Sequence, residues 1–334
     1  MIELTQAIGR VPMAPFSHHS RIHPLRSFSK KSCFVKREDE LGFGISGTKI
    51  RKYLSLLPAI LQERPDEAIV VGSAYSNHVL SFSQLLRENG IDPLLFLLGD
   101  PTCKMQGNLL FSQLIVEPKN IHWFDRSKWE TIDRIAEAYA QERAQKNIKT
   151  LVVPMGANCA DAMPGALTLA LDILQNEQEA GVKFDHLFID SGTGLTSCAL
   201  LLAFAYLRRP IFLHIVQIAG DEKAFHTVLA TRKKDFEALL EESVPFPSHF
   251  KLYTPSIGPS FGTVNTAIFR TIVEMARTEG FLTDPVFTAK LFYEGKKILA
   301  EQNLEGNILF IHSGGGLGLT GFQDEIAKVI SIPK

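Results

Sequence analysis

Residues 188–204 read "FIDSGTGLTSCALLLAF", and this stretch indicates how the chain folds. An apolar run typical of a buried strand leads into a turn of small residues from Ser191 to Thr196, and an apolar helical segment follows. This order places free backbone N–H groups and the positive end of a helix dipole at the turn. The turn therefore suits a phosphate group, although a tight turn without a ligand could have the same residues.

The same turn argues against a dinucleotide. A dinucleotide-binding fingerprint would need a third glycine where Ser197 stands, and an acidic residue about 20 positions later. At that distance the sequence reads "HIVQI" (214–218), which contains no acidic residue. A single phosphate monoester is the better prediction.

Apolar runs of the same kind recur along the chain with helical patterns between them. The runs lie at 68–72, 93–99, 121–124, 150–154, 186–190, 211–218 and 307–312, and helices are predicted over 50–61 and 78–89. Strands that are apolar throughout are typical of buried parallel sheets. The alternation predicts an α/β fold with mostly parallel sheets flanked by helices.

Composition narrows the class of partner. The 334 residues are 45% hydrophobic and carry a formal net charge of −1, which gives no electrostatic footprint for nucleic acid or an anionic membrane. The four cysteines are far apart and form no C-x-x-C pair, so we expect reduced thiols, no disulfide framework and no metal site. The start of the chain does not resemble a signal peptide, and the longest apolar stretch, 198–207, is too short for a membrane helix. We expect a soluble cytoplasmic protein with a small-molecule partner.

A second glycine-rich turn, "FIHSGGGLGLTGF" (310–322), lies too near the end of the sequence to open another strand-helix-strand unit. Its glycines would let the backbone approach a flat ligand, and Ser313 would present a hydroxyl to it. A plain loop is the alternative.

Polar residues also follow the strand at 68–72. Ser76, Asn77 and His78 stand where that strand meets a helix. They could cap the helix, or they could hold a polar substrate at its N-terminus.

Lys49 stands between the small residues of "GISGT" (44–48) and an amphipathic helix. A lysine at such a position is usually solvated. A buried lysine with a lowered pKa is instead a Schiff-base nucleophile, and a phosphate turn elsewhere in the chain would anchor its carbonyl partner.

Five segments occur in the order found in one group of enzymes that use pyridoxal phosphate. They are "VKREDELGFGISGTKIRKYLSLL" (35–57), "SAYSNHVLSF" (73–82), "DSGTGLTS" (190–197), "SFGTVNTAIFRTIVEMARTEGFLTDPVFTAKL" (260–291) and "ILFIHSGGG" (308–316). From about residue 8 to 322 the chain resembles the family of 1-aminocyclopropane-1-carboxylate deaminase and D-cysteine desulfhydrase. That family has the tryptophan-synthase-β-like, fold-type-II architecture.

The resemblance implies roles for individual residues. Lys49 would be the Schiff-base lysine and a catalytic residue, and Lys52 would be the second lysine that the family keeps. Asn77 would bind the ring oxygen of the cofactor, and Ser313 would face its pyridine nitrogen as a weak partner that need not keep the nitrogen protonated. The phosphate cradle would be formed by the backbone of Thr193, Gly194, Leu195 and Thr196. Ser76, also a catalytic candidate, would hold the substrate together with Asn77 and His78.

The chain departs from the family pattern at three positions. Thr48 replaces an asparagine, and Tyr75 replaces a glutamine. Phe287, in the substrate site, replaces a tyrosine linked to proton transfer, and a phenyl ring can be neither acid nor base.

Phe287 favours β-elimination of a D-cysteine-like amino acid, giving a 2-oxo acid, ammonia and sulfide. Ring-opening deamination, racemisation and a non-catalytic pyridoxal-phosphate-binding protein are the alternatives. The resemblance further implies a large cofactor-binding domain formed by residues 1–53 and 164–334, a small inserted α/β domain over 54–163, and a homodimer.

Overall fold

The computed structural model describes residues 1–331, except for the surroundings of residues 43 and 44. Its α-helices are α1 (Ile2–Gly9), α2 (Lys49–Glu63), α3 (Asn77–Glu88), α4 (Gly107–Ile115), α5 (Arg126–Trp129), α6 (Ile132–Gln145), α7 (Met163–Ala180), α8 (Leu195–Tyr206), α9 (Glu222–Leu240), α10 (Thr266–Glu279), α11 (Thr288–Glu301) and α12 (Gln323–Ser331). Its strands are β1 (Ile22–Pro24), β2 (Cys33–Lys36), β3 (Glu67–Ser73), β4 (Asp92–Leu98), β5 (Ile121–Phe124), β6 (Thr150–Val153), β7 (His186–Ser191), β8 (Phe212–Gln217), β9 (Phe250–Tyr253) and β10 (Ile308–Ile311).

The strands form two sheets in the described part of the chain. The first has the order β1-β2-β10-β7-β8-β9, and all its neighbours are parallel except the β1 and β2 pair. The second has the order β5-β4-β3-β6 and is parallel throughout. The predicted α/β fold with parallel sheets and flanking helices is confirmed.

The second sheet is built from residues 67–153, and strands on both sides of that range belong to the first sheet. This arrangement agrees with an inserted second unit. The predicted domain boundaries at 54 and 163 remain a prediction.

Apolar side chains explain why the central strands lie where they do. Ile69, Val70 and Val71 of β3 are fully buried. In the first sheet, Phe188 of β7 stacks on Phe310 of β10 with ring centroids 4.6 Å apart. Strands buried on both faces cannot show the alternating pattern of a half-exposed sheet, which is why the sequence showed continuous apolar runs.

The seven predicted strands are present, and the helix predicted over 50–61 lies within α2. The helix predicted over 78–89 coincides with α3 except at Asn89, which follows the last helical residue. Sequence patterns missed β1, β2 and β9, which have three or four residues each. Length alone does not explain this, because β5, β6 and β10 are similarly short and were predicted. The missed strands include Pro24, Lys36 and Lys251, and these residues interrupt their apolar runs.

All four cysteines are free thiols, and Cys33 and Cys198 are buried. Among residues 1–331, every helix falls short of the length or the apolar character needed to cross a membrane. Over the same range, no group of three or more His, Cys, Asp or Glu side chains is arranged to hold a metal ion.

Candidate active site

Lys49 is the first residue of α2, and the loop before it lies against the second glycine turn. The backbone N–H of Thr48 donates to the carbonyl oxygen of Ser313 at 3.0 Å. Gly47 has a φ of +54°, and a Cβ at this position would overlap the same carbonyl. Only glycine meets both demands, and the contact brings Lys49 and Ser313 into one site.

The Lys49 amine lies in a partly buried position between acidic and aromatic side chains. Burial lowers its pKa, while the nearby carboxylates of Asp190 and Asp284 act in the opposite direction. Its Nζ is 5.7 Å from the ring centroid of Phe287. A lysine so placed has a larger fraction of neutral, nucleophilic amine than a solvated one.

A buried charge cluster holds the helix that carries Lys49. Arg51 binds Glu38 through Nε and Nη2, at 2.5 and 2.7 Å, and binds Asp172 through Nη2 at 2.5 Å. Lys36 donates to Asp172 at 2.6 Å. All four side chains are at least 95% buried, so α2, β2 and α7 are tied together by charges that have no water to replace a lost partner.

The turn at 191–196 ends at the N-terminus of α8. Gly194 has a φ of +91°, and no side chain caps this helix among the described residues. The first N–H groups of the helix therefore remain able to bind an anion. A Cβ at Gly192 would stand 3.2 Å from the Phe287 ring, which shows how closely that ring approaches the turn.

Lys52 lies beside the same turn, one helical turn after Lys49. Its Nζ donates to the carbonyl oxygen of Gly156 at 3.0 Å, and Gly156 packs against the side chain of Thr193. Burial first, and then the charge of Lys49, lower the Lys52 pKa to about 7. An anion bound at the turn would favour its ammonium form.

Ser76 caps the N-terminus of α3, which is the first of the two roles that the sequence suggested for it. Its Oγ accepts from the backbone N–H groups of His78 and Val79, at 3.1 and 3.3 Å. These bonds use the oxygen lone pairs and leave the hydroxyl proton free to donate. Capping the helix and binding a substrate are therefore compatible roles for Ser76.

Asn77 has a defined amide orientation. Its Oδ1 accepts from Nδ2 of Asn108 at 2.6 Å, which leaves its NH₂ group as the donor toward the site. A Cβ at Gly315 would come within 2.9 Å of that nitrogen. The amide of Asn77 thus lies directly against the second glycine turn, close to Ser313.

The His78 ring is buried and neutral, because burial and the charges of Lys52 and Lys49 lower its pKa to about 3. Nδ1 of His78 is 3.0 Å from the Tyr53 hydroxyl, which is itself 2.8 Å from the Ser81 hydroxyl. Nε2 is buried without a hydrogen-bond partner in the described structure. It is therefore the ring nitrogen that is available to a polar ligand.

Phe287 precedes α11 and forms an apolar wall with Phe261. Their ring centroids are 5.8 Å apart in an edge-to-face arrangement. The backbone at Phe287 is fixed by Asp284, whose carboxylate accepts from the N–H groups of Val286, Phe287 and Thr288 at 2.8–3.0 Å. The wall brings no hydroxyl next to Lys49.

These residues fit a pyridoxal phosphate ligand on three observations. The N-terminus of α8 carries no side-chain cap, the NH₂ group of Asn77 is free to donate, and Thr48 Oγ1 and Asn158 Oδ1 are buried polar atoms without a partner in the described structure. Buried polar atoms of this kind call for an explanation, and a polar ligand supplies one.

The structure brings together Lys49, Lys52, the turn at 193–196, Asn77, Phe287 and Ser313, while the His78 ring lies deeper, in the packed interior. Four further residues of the site did not emerge from the sequence: Asn108, Asn158, Asp190 and Phe261. Of these, Asp190 had a visible signal, because it is a charged residue at the end of an apolar strand.

Known proteins resemble the chain over almost its whole length. The profile of the family described as "Pyridoxal-phosphate dependent enzyme" matches residues 4–314. A protein of Pyrococcus furiosus, named as a candidate 1-aminocyclopropane-1-carboxylate deaminase, is 28% identical over 333 residues, covering 98% of each chain. The mitochondrial bifunctional D-cysteine desulfhydrase/1-aminocyclopropane-1-carboxylate deaminase of Arabidopsis thaliana is 23% identical, covering 89% of this chain and 75% of that protein. The crystal structure of an ACC deaminase homologue superposes with a TM-score of 0.88 and 25% identity, covering 98% of this chain and 99% of that one.

Proposed function

Because the chain belongs to the family of pyridoxal-phosphate-dependent enzymes, we propose that it catalyses β-elimination on a small amino acid whose leaving group is a thiolate. The products from D-cysteine would be a 2-oxo acid, ammonia and hydrogen sulfide. The single observation that carries this choice is the phenyl ring of Phe287 beside the Lys49 amine.

In this proposal the cofactor is held at both ends. Lys49 would bond to its aldehyde carbon, while Lys52 and the N–H groups of residues 193–196 would bind its phosphate. Asn77 would donate to the ring oxygen, and Ser313 would face the pyridine nitrogen. When bound, the cofactor supplies the sink for electrons released at the substrate α-carbon.

Lys49 has the properties of the base that removes the α-proton. Burial keeps part of its amine neutral, and the apolar wall formed by Phe287 and Phe261 limits the access of water to Nζ. Ser76 would donate its free hydroxyl proton to the substrate carboxylate. His78, whose buried Nε2 has no partner in the described structure, would help Ser76 to hold the substrate carboxylate.

Phe287 bears on which leaving group the site favours. A phenyl ring cannot donate a proton, so this side of the site favours a group that leaves as a stable anion. A thiolate does so without an acid. Opening a cyclopropane ring leaves a carbanion and therefore needs a proton donor.

Ring-opening deamination is the second candidate, because the relatives described above carry that activity in their names. Racemisation uses the same removal of the α-proton and needs no leaving group. Both alternatives predict different products from the same panel of substrates.

The test is release of 2-oxo acid and sulfide from D- and L-cysteine, D-serine, β-chloroalanine and 1-aminocyclopropane-1-carboxylate, together with chiral analysis of the recovered amino acid. Sulfide release from a cysteine enantiomer, with no turnover of the cyclopropane substrate, is the expected result. Turnover of the cyclopropane substrate as fast as that of cysteine would contradict the argument from Phe287.

A matched pair of variants sharpens this test. Phe287→Tyr restores a hydroxyl beside Lys49 and is expected to raise ring-opening activity above that of the unaltered enzyme. Phe246→Tyr adds the same hydroxyl to an exposed ring on the loop after α9 and serves as the control. No gain from Phe287→Tyr would show that the missing hydroxyl does not determine the substrate.

A further inference from the structure

Asp190 is the last residue but one of β7, and the roles proposed so far do not use it. Its Oδ1 accepts a hydrogen bond from the Ser313 hydroxyl at 2.8 Å. The charged groups that face it are Lys49 from α2 and Asp284 from the segment before α11. Asp190 therefore lies in the site, behind the hydroxyl that faces the pyridine nitrogen in the proposal above.

The two aspartates of the site are not equivalent. Asp284 accepts four hydrogen bonds at the start of α11, three from backbone N–H groups and one from the Thr288 hydroxyl at 2.8 Å. Asp190 has Ser313 as its one side-chain donor within the described structure. Asp284 is thus a structural cap, while Asp190 retains the capacity to stabilise a positive charge.

The hydrogen bond also fixes which way the Ser313 proton points. A serine hydroxyl has one proton and two lone pairs, and a carboxylate can only accept. Since Ser313 donates its proton to Asp190, its remaining capacity toward a ligand is that of an acceptor. An unprotonated pyridine nitrogen is also an acceptor and would face lone pairs, whereas a protonated nitrogen would donate to Ser313.

We propose that Asp190 and Ser313 form a carboxylate-backed acceptor for the pyridine nitrogen of the cofactor, and that this nitrogen is therefore protonated in the bound state. This differs from the expectation of a weak hydroxyl partner that leaves the nitrogen neutral. Burial raises the pKa of Asp190 to about 6, so the carboxylate is ionised near neutral pH and able to take this role. A protonated ring withdraws electrons more strongly, which makes it a better sink for the chemistry at the α-carbon.

The proposal rests on cofactor binding and not on the choice of substrate. Its test is therefore made without substrate, on the full-length protein loaded with pyridoxal phosphate labelled with ¹⁵N in the ring. The ¹⁵N chemical shift distinguishes a protonated ring nitrogen from a neutral one. The unaltered protein is expected to give the shift of the protonated form at neutral pH.

Variants separate Asp190 from its neighbours. Asp190→Asn keeps the size of the side chain and removes the charge, and is expected to move the ¹⁵N shift to that of a neutral ring. Asp185→Asn makes the same change at the exposed residue just before β7 and should leave the shift unaltered. Ser313→Thr keeps the hydroxyl and should also keep the protonated form.

A neutral-ring shift in the unaltered protein would overturn the proposal, and so would an unchanged shift in Asp190→Asn. The unaltered protein gives a decisive result even if Asp190→Asn fails to fold. Sulfide release in the substrate panel is measured separately, so a wrong substrate and a wrong protonation state produce distinguishable failures.

Discussion

The buried cluster of Lys36, Glu38, Arg51 and Asp172 should contribute strongly to the stability of the fold around Lys49. Arg51→Met retains an unbranched side chain of similar length, but it removes the guanidinium group and with it both hydrogen bonds to Glu38 and the one to Asp172. Glu38 would then retain the Ser20 hydroxyl at 2.6 Å and the more distant Lys36 ammonium at 4.0 Å.

Breaking one partner out of a buried ion pair costs about 3–5 kcal/mol, because the remaining charge has no water to solvate it. We expect Arg51→Met to lower the free energy of unfolding by that amount, and Arg51→Lys to lie between it and the unaltered protein, since lysine keeps the charge without the planar fork. The matched control is Arg87→Met, which breaks an exposed pair with Asp92 and should cost about 1 kcal/mol or less.

The measurement is urea unfolding of the cofactor-free protein followed by circular dichroism and by fluorescence, with coincident transitions as the condition for extracting a free energy. If the two Arg→Met variants lost equal stability, the cluster would not be the element that holds α2. Binding of pyridoxal phosphate by Arg51→Met should also weaken, because Lys49 begins the same helix.

Three other changes have expected outcomes. The folded protein opposes ionisation of Asp190, whose pKa of about 6 lies roughly 2 units above that of an unfolded aspartate, so Asp190→Asn should raise the free energy of unfolding of the cofactor-free protein by about 3 kcal/mol above pH 7. The gain should vanish below about pH 3, where the aspartate is protonated in both the folded and the unfolded state, and a gain that persists there would exclude this cause. Gly165→Ala should lower the free energy of unfolding by about 1–3 kcal/mol, because its Cβ would overlap the backbone oxygen of Arg51 where α7 crosses α2. Gly9→Ala is the control: the space around Gly9 is open, so this change should have little effect in the same urea titration. Lys52→Met should weaken the binding of pyridoxal phosphate about tenfold to a hundredfold. Binding of pyridoxal, which lacks the phosphate, should stay nearly unchanged. An equal loss of affinity for both ligands would place Lys52 away from the phosphate.

Local sequence patterns were sufficient for the central strands and for the helices around the site. Buried parallel strands such as β3 and β4 are almost entirely apolar, and the turn before α8 is recognisable in the sequence by its glycines. The strands β1, β2 and β9 were missed because Pro24, Lys36 and Lys251 interrupt their apolar runs.

The site was only partly predictable, for a physical reason. Lys49, Asn77 and Ser313 stand in recognisable segments, so resemblance to a family pointed to them. Asn108 and Asn158 act through contacts made by tertiary folding, with Asn77 and with the carbonyl of Thr193, and neither lies in a recognisable segment. The cluster around Arg51 was invisible for the same reason, because each charged residue alone is typical of a solvated surface.

Several expectations remain predictions: the homodimer, the cytoplasmic location, and the domain boundaries at 54 and 163. A sedimentation measurement on the purified protein would test the first of these. A dimer is the expected result, and a monomer at micromolar concentration would contradict it.

Chemical reduction would show whether Lys49 forms the covalent bond to the cofactor. The protein loaded with pyridoxal phosphate is treated with borohydride, digested with trypsin and mapped by mass spectrometry. Because Arg51 lies between Lys49 and Lys52, trypsin places the two lysines in different peptides. We expect one pyridoxyl phosphate group on the peptide that ends at Arg51 and contains Lys49, and none in Lys49→Ala. An adduct on Lys52, or one that persists in Lys49→Ala, would contradict this assignment.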